Sequence, residues 1–337
     1  MRTVLHGFAL LGAGLLGSGV TVAVLPGTTT VVVSRPIVAS KPKAKPVART
    51  VSISKKARQP MPKRPRASRS LYERTTSPSV LRQQGCRAGR LGTNGVVVLD
   101  FGKLSSRRHD YGTILFSGRF ASNTSITWAL KSYARGYVEC LPKQSKATIT
   151  LARGTSNYYP TVPSLRRAGR KWAGETHVLA RYLRVHGMSD RVESAAADDV
   201  EPAWDRTFHR THSFYAGYAS ARTGYLLYNY GSLDGGAGGI WNVRQAYYVS
   251  GGMRYARAMP EIYNHAMARQ WAYLSRRSVH FYGKPVQFAG LMTQRARGCT
   301  CGLTPAQAHA ALVRELSKHP RTRVVALPAV TSIGSPS

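Results

Sequence analysis

The chain has 337 residues and 43% hydrophobic content, enough to bury a sizeable core in one large domain or two small ones. Its charge excludes a balanced surface, since 49 Lys and Arg stand against 14 Asp and Glu, a net +35. Residues 1–90 contribute +16 and the rest +19, so the whole length attracts polyanions, whether nucleic acid, anionic lipid or wall polymer.

Residues 7–25, GFALLGAGLLGSGVTVAVL, are uncharged and follow a short start carrying Arg2. They predict a signal peptide or membrane anchor within residues 1–33, with the remainder secreted or membrane-anchored outside the cytoplasm. Arg35, Lys41, Lys43 and Lys45 argue the other way, because positive flanks prefer the cytoplasmic side. Residues 34–83 are rich in proline, serine and positive charge and poor in large apolar side chains. Such a segment buries too little surface to offset its ordering entropy, so it reads as a disordered basic linker. It lacks interleaved aromatics and any recognition motif, and no specific nucleic-acid binding is expected.

Four cysteines, Cys86, Cys140, Cys299 and Cys301, are compatible with one or two disulfides in an oxidising compartment, or with buried free thiols. Cys299 and Cys301 have no partner pair at zinc-finger spacing. No metal and no cofactor are expected.

From residue 84 onward short apolar runs alternate with helical patterns, the signature of βα units. The strand candidates are Val96–Phe101, Thr113–Phe116, Ala147–Ala152, Val192–Ala197, Tyr225–Tyr230, Ala246–Val249, Glu261–Tyr263 and Val286–Leu291. Helix candidates cover 125–140, 163–186, 204–222, 264–282 and 304–318. In the last, Thr304 is placed to cap and Pro305 to occupy the first turn. Eight strands in this alternation predict an α/β fold, a (β/α)8 TIM-type barrel with some short crossovers. It would span 84–330, with 331–337 as a disordered tail.

Six of the 14 acids fall where a barrel would use them. Asp100 ends the first strand candidate, Asp198, Asp199 and Glu201 end the fourth, Asp234 follows YNYGSLDGG, and Glu261 opens PEIYN. Side chains at the carboxyl ends of barrel strands converge on one mouth, where active sites are built. Asp199 and Glu201, two apart on an extended chain, point to the same face. Paired carboxyls there divide labour, one ionised and one keeping a proton, as glycoside hydrolysis requires. Metal binding, helix capping or pairing with arginine remain alternative uses of the same acids. Trp204, Tyr228, Tyr230, Tyr263 and Trp271 are candidate sugar-stacking rings, and Asn229 and Asn264 candidate donors to sugar hydroxyls. Arg153 is placed to meet a substrate anion or a barrel acid. Asp198 and Asp234 are further candidate substrate contacts. His209 and His212 share a helical face without a carboxylate in register, and Gly235–Gly239 reads as a turn or lid.

Asp100 with Asp199-x-Glu201 resembles the family 25 glycoside hydrolases, wall-cleaving lysozymes with a modified barrel. The phrases VLDFGK, ITLARGTSNY, AAADDVEPAWD, LYNYGSLDGG and PEIYNHAMARQW resemble a group of secreted, glycoside-hydrolase-like barrel proteins of actinobacteria. The resemblance covers roughly residues 94–295. It implies Glu201 as proton donor, Asp199 and Asp100 as supporting carboxylates, and peptidoglycan or a related envelope polysaccharide as substrate. The alternative is a non-catalytic barrel that binds anionic envelope polymer.

Overall fold

The computed structural model describes residues 65–108, 110–159, 162–294, 302–323 and 327–336. The chain divides at Ala57 into two units, and all described residues belong to the second, Arg58–Ser337. The expected leader, most of the expected linker, and Cys299 and Cys301 lie outside the described residues. Among the described residues, no helix is long and apolar enough to cross a membrane.

In chain order, β1 (Arg66–Tyr72) leads to α1 (Pro78–Arg90), β2 (Gly95–Arg107), and the hairpin strands β3 (Asp110–Ile114) and β4 (Phe120–Ser122). There follow α2 (Asn123–Cys140), β5 (Ile149–Ser156), α3 (Leu165–Val185), β6 (Val192–Asp199), α4 (His209–Ser220) and β7 (Leu227–Asn229). The chain closes with α5 (Val243–Tyr247), β8 (Ala256–Ala258), α6 (His265–Tyr282), β9 (Leu291–Gln294), α7 (Pro305–Ser317) and β10 (Ala329–Gly334). Eight strands pair in parallel in the order β8-β7-β6-β5-β2-β1-β10-β9, and single bridges Ala258–Phe288 and Glu261–Met292 join the two edges. This is the expected (β/α)8 barrel, nearly closed, with neighbours in space following neighbours in sequence.

Side-chain alternation along the strands builds two cores. Inside the barrel lie small or slender residues, among them Val96, Val98, Ala152, Ala195, Ala197, Met259 and Met292. Outside, Val97, Leu99, Leu151 and Ala196 pack against the helices through Leu130, Tyr133, Trp172 and Phe214. Five of the helices begin on a capping side chain: Ser122, Ser164, Asn242, Asn264 and Thr304, with full capping boxes from Asn242 to Gln245 and from Thr304 to Gln307. One disulfide, Cys86–Cys140, ties α1 to α2.

Several elements differ from expectation. β1 lies within the expected linker, so the barrel starts at Arg66 rather than 84. β10 reaches into the expected tail. Polar side chains disguised β1: inward-facing Ser70 accepts from the Val98 amide at 2.8 Å and bonds the Thr331 hydroxyl at 2.8 Å, so hydrogen bonds replace the apolar run that marks a strand. The Thr113–Phe116 run belongs instead to the antiparallel hairpin β2–β3–β4. The Ala246–Val249 segment is helical, lying in α5 and the π-type turn Tyr248–Gly252. The sixth barrel strand is β8, just ahead of the Glu261–Tyr263 segment.

Candidate functional site

Inward-facing residues at the carboxyl ends of the strands meet at one mouth. Asp100 comes from β2, Asp199 from the end of β6, Glu201 two residues beyond it, and Glu261 three residues past β8. Carboxyl oxygens of Asp199, Glu201 and Glu261 all lie within 4.8 Å of one another. Among the described residues none of these carboxyls has an Arg or Lys in salt-bridge range. Asp100 and Asp199 line a cleft of about 640 Å³ together with Tyr72, Lys103, Phe116, Tyr158 and Trp204 among others, and Glu201 and Glu261 stand beside Asp199.

Backbone geometry brings these groups together. Between Asp100 and Lys103 the β2–β5 register shifts through a bulge, where Gly102 has φ +83° and donates to Asp100 Oδ1 at 2.8 Å. After β7, Gly231 passes so close to Val200 that a Cβ would sit 2.2 Å from its carbonyl oxygen. That approach lays Ser232 and Asp234 against Glu201. Asn157 clamps the Glu201 backbone from the other side, donating to its carbonyl at 3.1 Å and accepting from its amide at 3.0 Å.

Ser232 Oγ lies 2.8 Å from both Glu201 Oε2 and Asp234 Oδ1. A hydroxyl has one proton to give, so the array is satisfied when one carboxyl carries a proton of its own. Burial first, then the neighbouring Asp234, pushes Glu201 up to about 9, while Ser232 pulls it back. Burial also acts on Asp234, but hydrogen bonds from Glu201, the Ala203 amide and Ser232 outweigh it and hold that group below the ordinary carboxylate value. The proton therefore belongs on Glu201. Burial lifts Asp199 well above its usual value, reinforced by Glu261, Asp100 and Glu201. Glu261 rises to about 7 through burial, opposed by the Tyr263 hydroxyl that donates to it. Asp100 rises to about 6, again through burial, opposed by the Gly102 amide and Tyr230.

An exposed aromatic rim borders the cleft. Trp204, on the short turn Pro202–Trp204 after Glu201, meets Tyr158 edge-on at 6.1 Å, and Lys103 stands 5.4 Å over the Tyr158 ring. Phe116 packs on Tyr72 at 4.8 Å. Tyr230 is buried inside the mouth and donates to the Thr155 carbonyl at 3.1 Å.

The structure separates other candidates from this mouth. Arg153 faces the helix layer, where it bonds Asn123 and Thr127 and lies 4.0 Å over Trp172, so it meets neither a barrel acid nor the cleft. Asp198 points outward on the same strand whose Asp199 points inward, with Tyr159 Oη 3.5 Å from its Oδ2. Tyr228 is buried near Thr150 and Glu193, toward the amino ends of the strands. Asn229 is buried, bonding Ser250 at 3.1 Å and the Gly231 amide at 3.1 Å. Asn264 caps α6, and Trp271 is buried in the core beside Phe288. Tyr263 is in the mouth, bonded to Glu261.

Sequence reasoning noted Glu261 without giving it a role, and passed over Ser232, Asn157, Tyr158, Phe116 and Tyr72. The SNY triplet at the end of β5 and the serine two residues before Asp234 were the available signals for Asn157, Tyr158 and Ser232. Tyr72 lay hidden in the expected linker. Asp199, Glu201 and Glu261 also form an all-oxygen set of the kind hard cations take, with one oxygen of Glu201 and one of Glu261 already engaged by Ser232 and Tyr263.

The fold and the mouth define a barrel with a carboxylate cluster at the carboxyl ends of its strands. No protein-family model matches the chain, and no curated protein matches it. Similar solved structures include the GH99 endo-alpha-mannosidase from Bacteroides thetaiotaomicron, at 10% identity and a TM-score of 0.35, covering 77% of this chain and 67% of that one. The same enzyme in complex with BIS-TRIS-propane is 11% identical, with a TM-score of 0.35 and coverage of 77% and 71%. At that distance neither the mannosidase's activity nor its substrate passes to this chain, and the barrel assignment rests on its own strand order.

Proposed function

We propose that this protein is an exported, envelope-associated glycosidase acting on peptidoglycan or a related polysaccharide, with Glu201 as the proton donor. The observation that carries this reading is the cluster of Asp199, Glu201 and Glu261 within 4.8 Å of one another at the edge of a cleft with an aromatic rim, where burial favours the protonated form of Glu201. Sugar rings stack by their C–H faces on Trp204 and Tyr158, and the scissile oxygen approaches Glu201. Glu201 delivers its proton to that oxygen as the bond to the anomeric carbon breaks. Asp199 and Asp100 face the positive charge developing on the sugar, and water completes the hydrolysis. The closeness of the carboxyls leaves little room for a water between them and favours retention of anomeric configuration. In that course Asp199 bonds the anomeric carbon as the leaving oxygen departs, and water, giving its proton to the now ionised Glu201, then displaces Asp199.

The Cys86–Cys140 disulfide fits an oxidising, extracytoplasmic compartment. Export through the segment at 7–25, as a cleaved leader or an anchor, is part of the same proposal, as is the likeness to family 25 lysozymes. A second reading, a barrel that binds envelope polymer without cutting it, is favoured by one observation. Burial raises Asp199, Glu201 and Glu261 together, which leaves few ionised carboxylates to stabilise a cation.

The test is release of new reducing ends from isolated wall glycan by the chain from residue 58 onward, with Glu201→Gln beside it. Hydrolysis by the parent and a loss of about 10²–10⁴-fold in the variant support the proton-donor role. Equal release from both removes Glu201 from that role. No release, with both proteins pelleting with wall at low salt, favours the binding protein.

A further inference from the structure

Away from the mouth, the outer faces of α1, α2 and α3 enclose another cleft, of about 610 Å³. On α2, Trp128, Lys131 and Arg135 are spaced by three and four residues and share one face. Trp128 is 55% exposed, so part of its ring is free to take a partner. The Lys131 ammonium stands 4.3 Å from the Trp128 ring and 5.0 Å from that of Tyr182 on α3, held between the two. Arg135 lies 6.0 Å from the Tyr182 ring, which also packs on His186 at 4.0 Å. Arg82 of α1 closes the cleft and is neutralised by Glu139 through two bonds of 2.9 Å. No carboxylate lines the cleft. Lys131 and Arg135 are thus left as cations beside a half-exposed indole.

We propose that this cleft binds an acidic polysaccharide, one whose pyranose ring stacks on Trp128 while its carboxylate meets Lys131 and Arg135. The arrangement selects this chemistry by elimination. Single-stranded nucleic acid needs successive free aromatic faces for its bases, but Tyr182 is already flanked by Lys131, Arg135 and His186. A glycerol-phosphate polymer carries charge but no ring for the indole. Residues 1–57 carry eight basic residues and no acid, so they offer the cleft no complementary charge. The inference stands whether or not the mouth is hydrolytic. A second hold on the same polymer would raise its effective concentration at the barrel without any new contact at the mouth.

The test measures binding of the full-length protein to polygalacturonate by affinity electrophoresis. Dextran, a glycerol-phosphate polymer and oligo-dT serve as comparators. Trp128→Ala and the double variant Lys131→Gln/Arg135→Gln are each expected to weaken polygalacturonate binding at least tenfold, the double variant with a shallower salt dependence. Lys284→Gln, which removes an exposed charge elsewhere, is expected to bind as the parent does. Because Trp128 is exposed its loss leaves the core intact, and the double variant reaches the same question with the indole in place. Unchanged affinity in both variants overturns the site, and so does an equal loss in Lys284→Gln, which would make the attraction a bulk one. Tighter binding of oligo-dT or the glycerol-phosphate polymer, lost in the same variants, overturns the choice of polysaccharide.

Discussion

Glu201, Ser232 and Asp234 form a chain in which a single serine hydroxyl stands between two carboxyls, and the proton count of that chain decides what the mouth can do. Removing the charge of Asp234 takes away the neighbour that helps hold a proton on Glu201. Asp234→Asn is therefore expected to move the alkaline limb of the pH–rate profile from near 9 toward neutrality by about one unit. The acid limb, set by the supporting carboxylate Asp100 near 6, should stay in place, because Asp234 does not act on that group. A shift of both limbs, read from kcat/KM between pH 5 and 10, would count against this division of roles. Glu73 shows the same physics without the chemistry. Fully buried, and bonded at 3.3 Å by Gln84, it is raised from 4.5 to about 7 by burial. Below pH 4.5 it is protonated folded and unfolded alike. Between 4.5 and 7 only the unfolded chain gives up the proton, so stability falls as pH rises and then levels off, a loss of about 3 kcal/mol. Glu73→Gln escapes that loss. Denaturant unfolding should find it equal to the parent near pH 4.5 and more stable by about that amount at pH 8.

Most of the long helices were readable because each announces itself locally, while α1, α5 and some strands were not. α2, α3, α6 and α7 match the periodic stretches within a few residues, and Thr304 and Pro305 start α7 as their types predict. α1 was missed, as its mean hydropathy is low and few of its residues are buried: Leu81, Gly85 and Gly89. Two of those are glycines with a purpose. A Cβ at Gly85 would sit 2.0 Å from the Tyr133 carbonyl oxygen, and one at Gly136 2.0 Å from that of Arg82, so α1 and α2 meet backbone to backbone. Periodicity of large apolar residues cannot report a contact made by their absence. The disulfide locks that contact across a loop of 54 residues. On the chain-entropy account, Cys86→Ser with Cys140→Ser should cost about 4 kcal/mol, with an unchanged far-UV spectrum below the transition. Retained stability after the double change would mean that glycine packing alone fixes α1.

At the scale of the whole molecule, the barrel was legible as a count of alternating elements, and the mouth as a placement of scarce acids at strand ends. Asp100, Asp199 and Glu201 do converge there. The orientation of individual side chains was less legible, since one residue of register separates inward Asp199 from outward Asp198. Closure was expected from the strand count, but the strands that achieve it were not legible, for β1 and β10 look like linker and tail. β1 pairs with β10 over six residues from Arg66 to Leu71 and meets β2 at Leu71 and Tyr72. A chain begun at residue 84, where apolar texture first appears, loses β1 and the first half of α1. Its β2 and β10 are left with unpaired edges, Ser70 no longer satisfies the Val98 amide, and Tyr72 is gone from the cleft. A chain begun at residue 58 keeps all of these. The shorter form should therefore aggregate or lack a cooperative melt, while the longer one melts with the midpoint of the full-length protein. Equal, cooperative melting of both would show that the barrel closes without β1 and that its strand order is not what holds the mouth together.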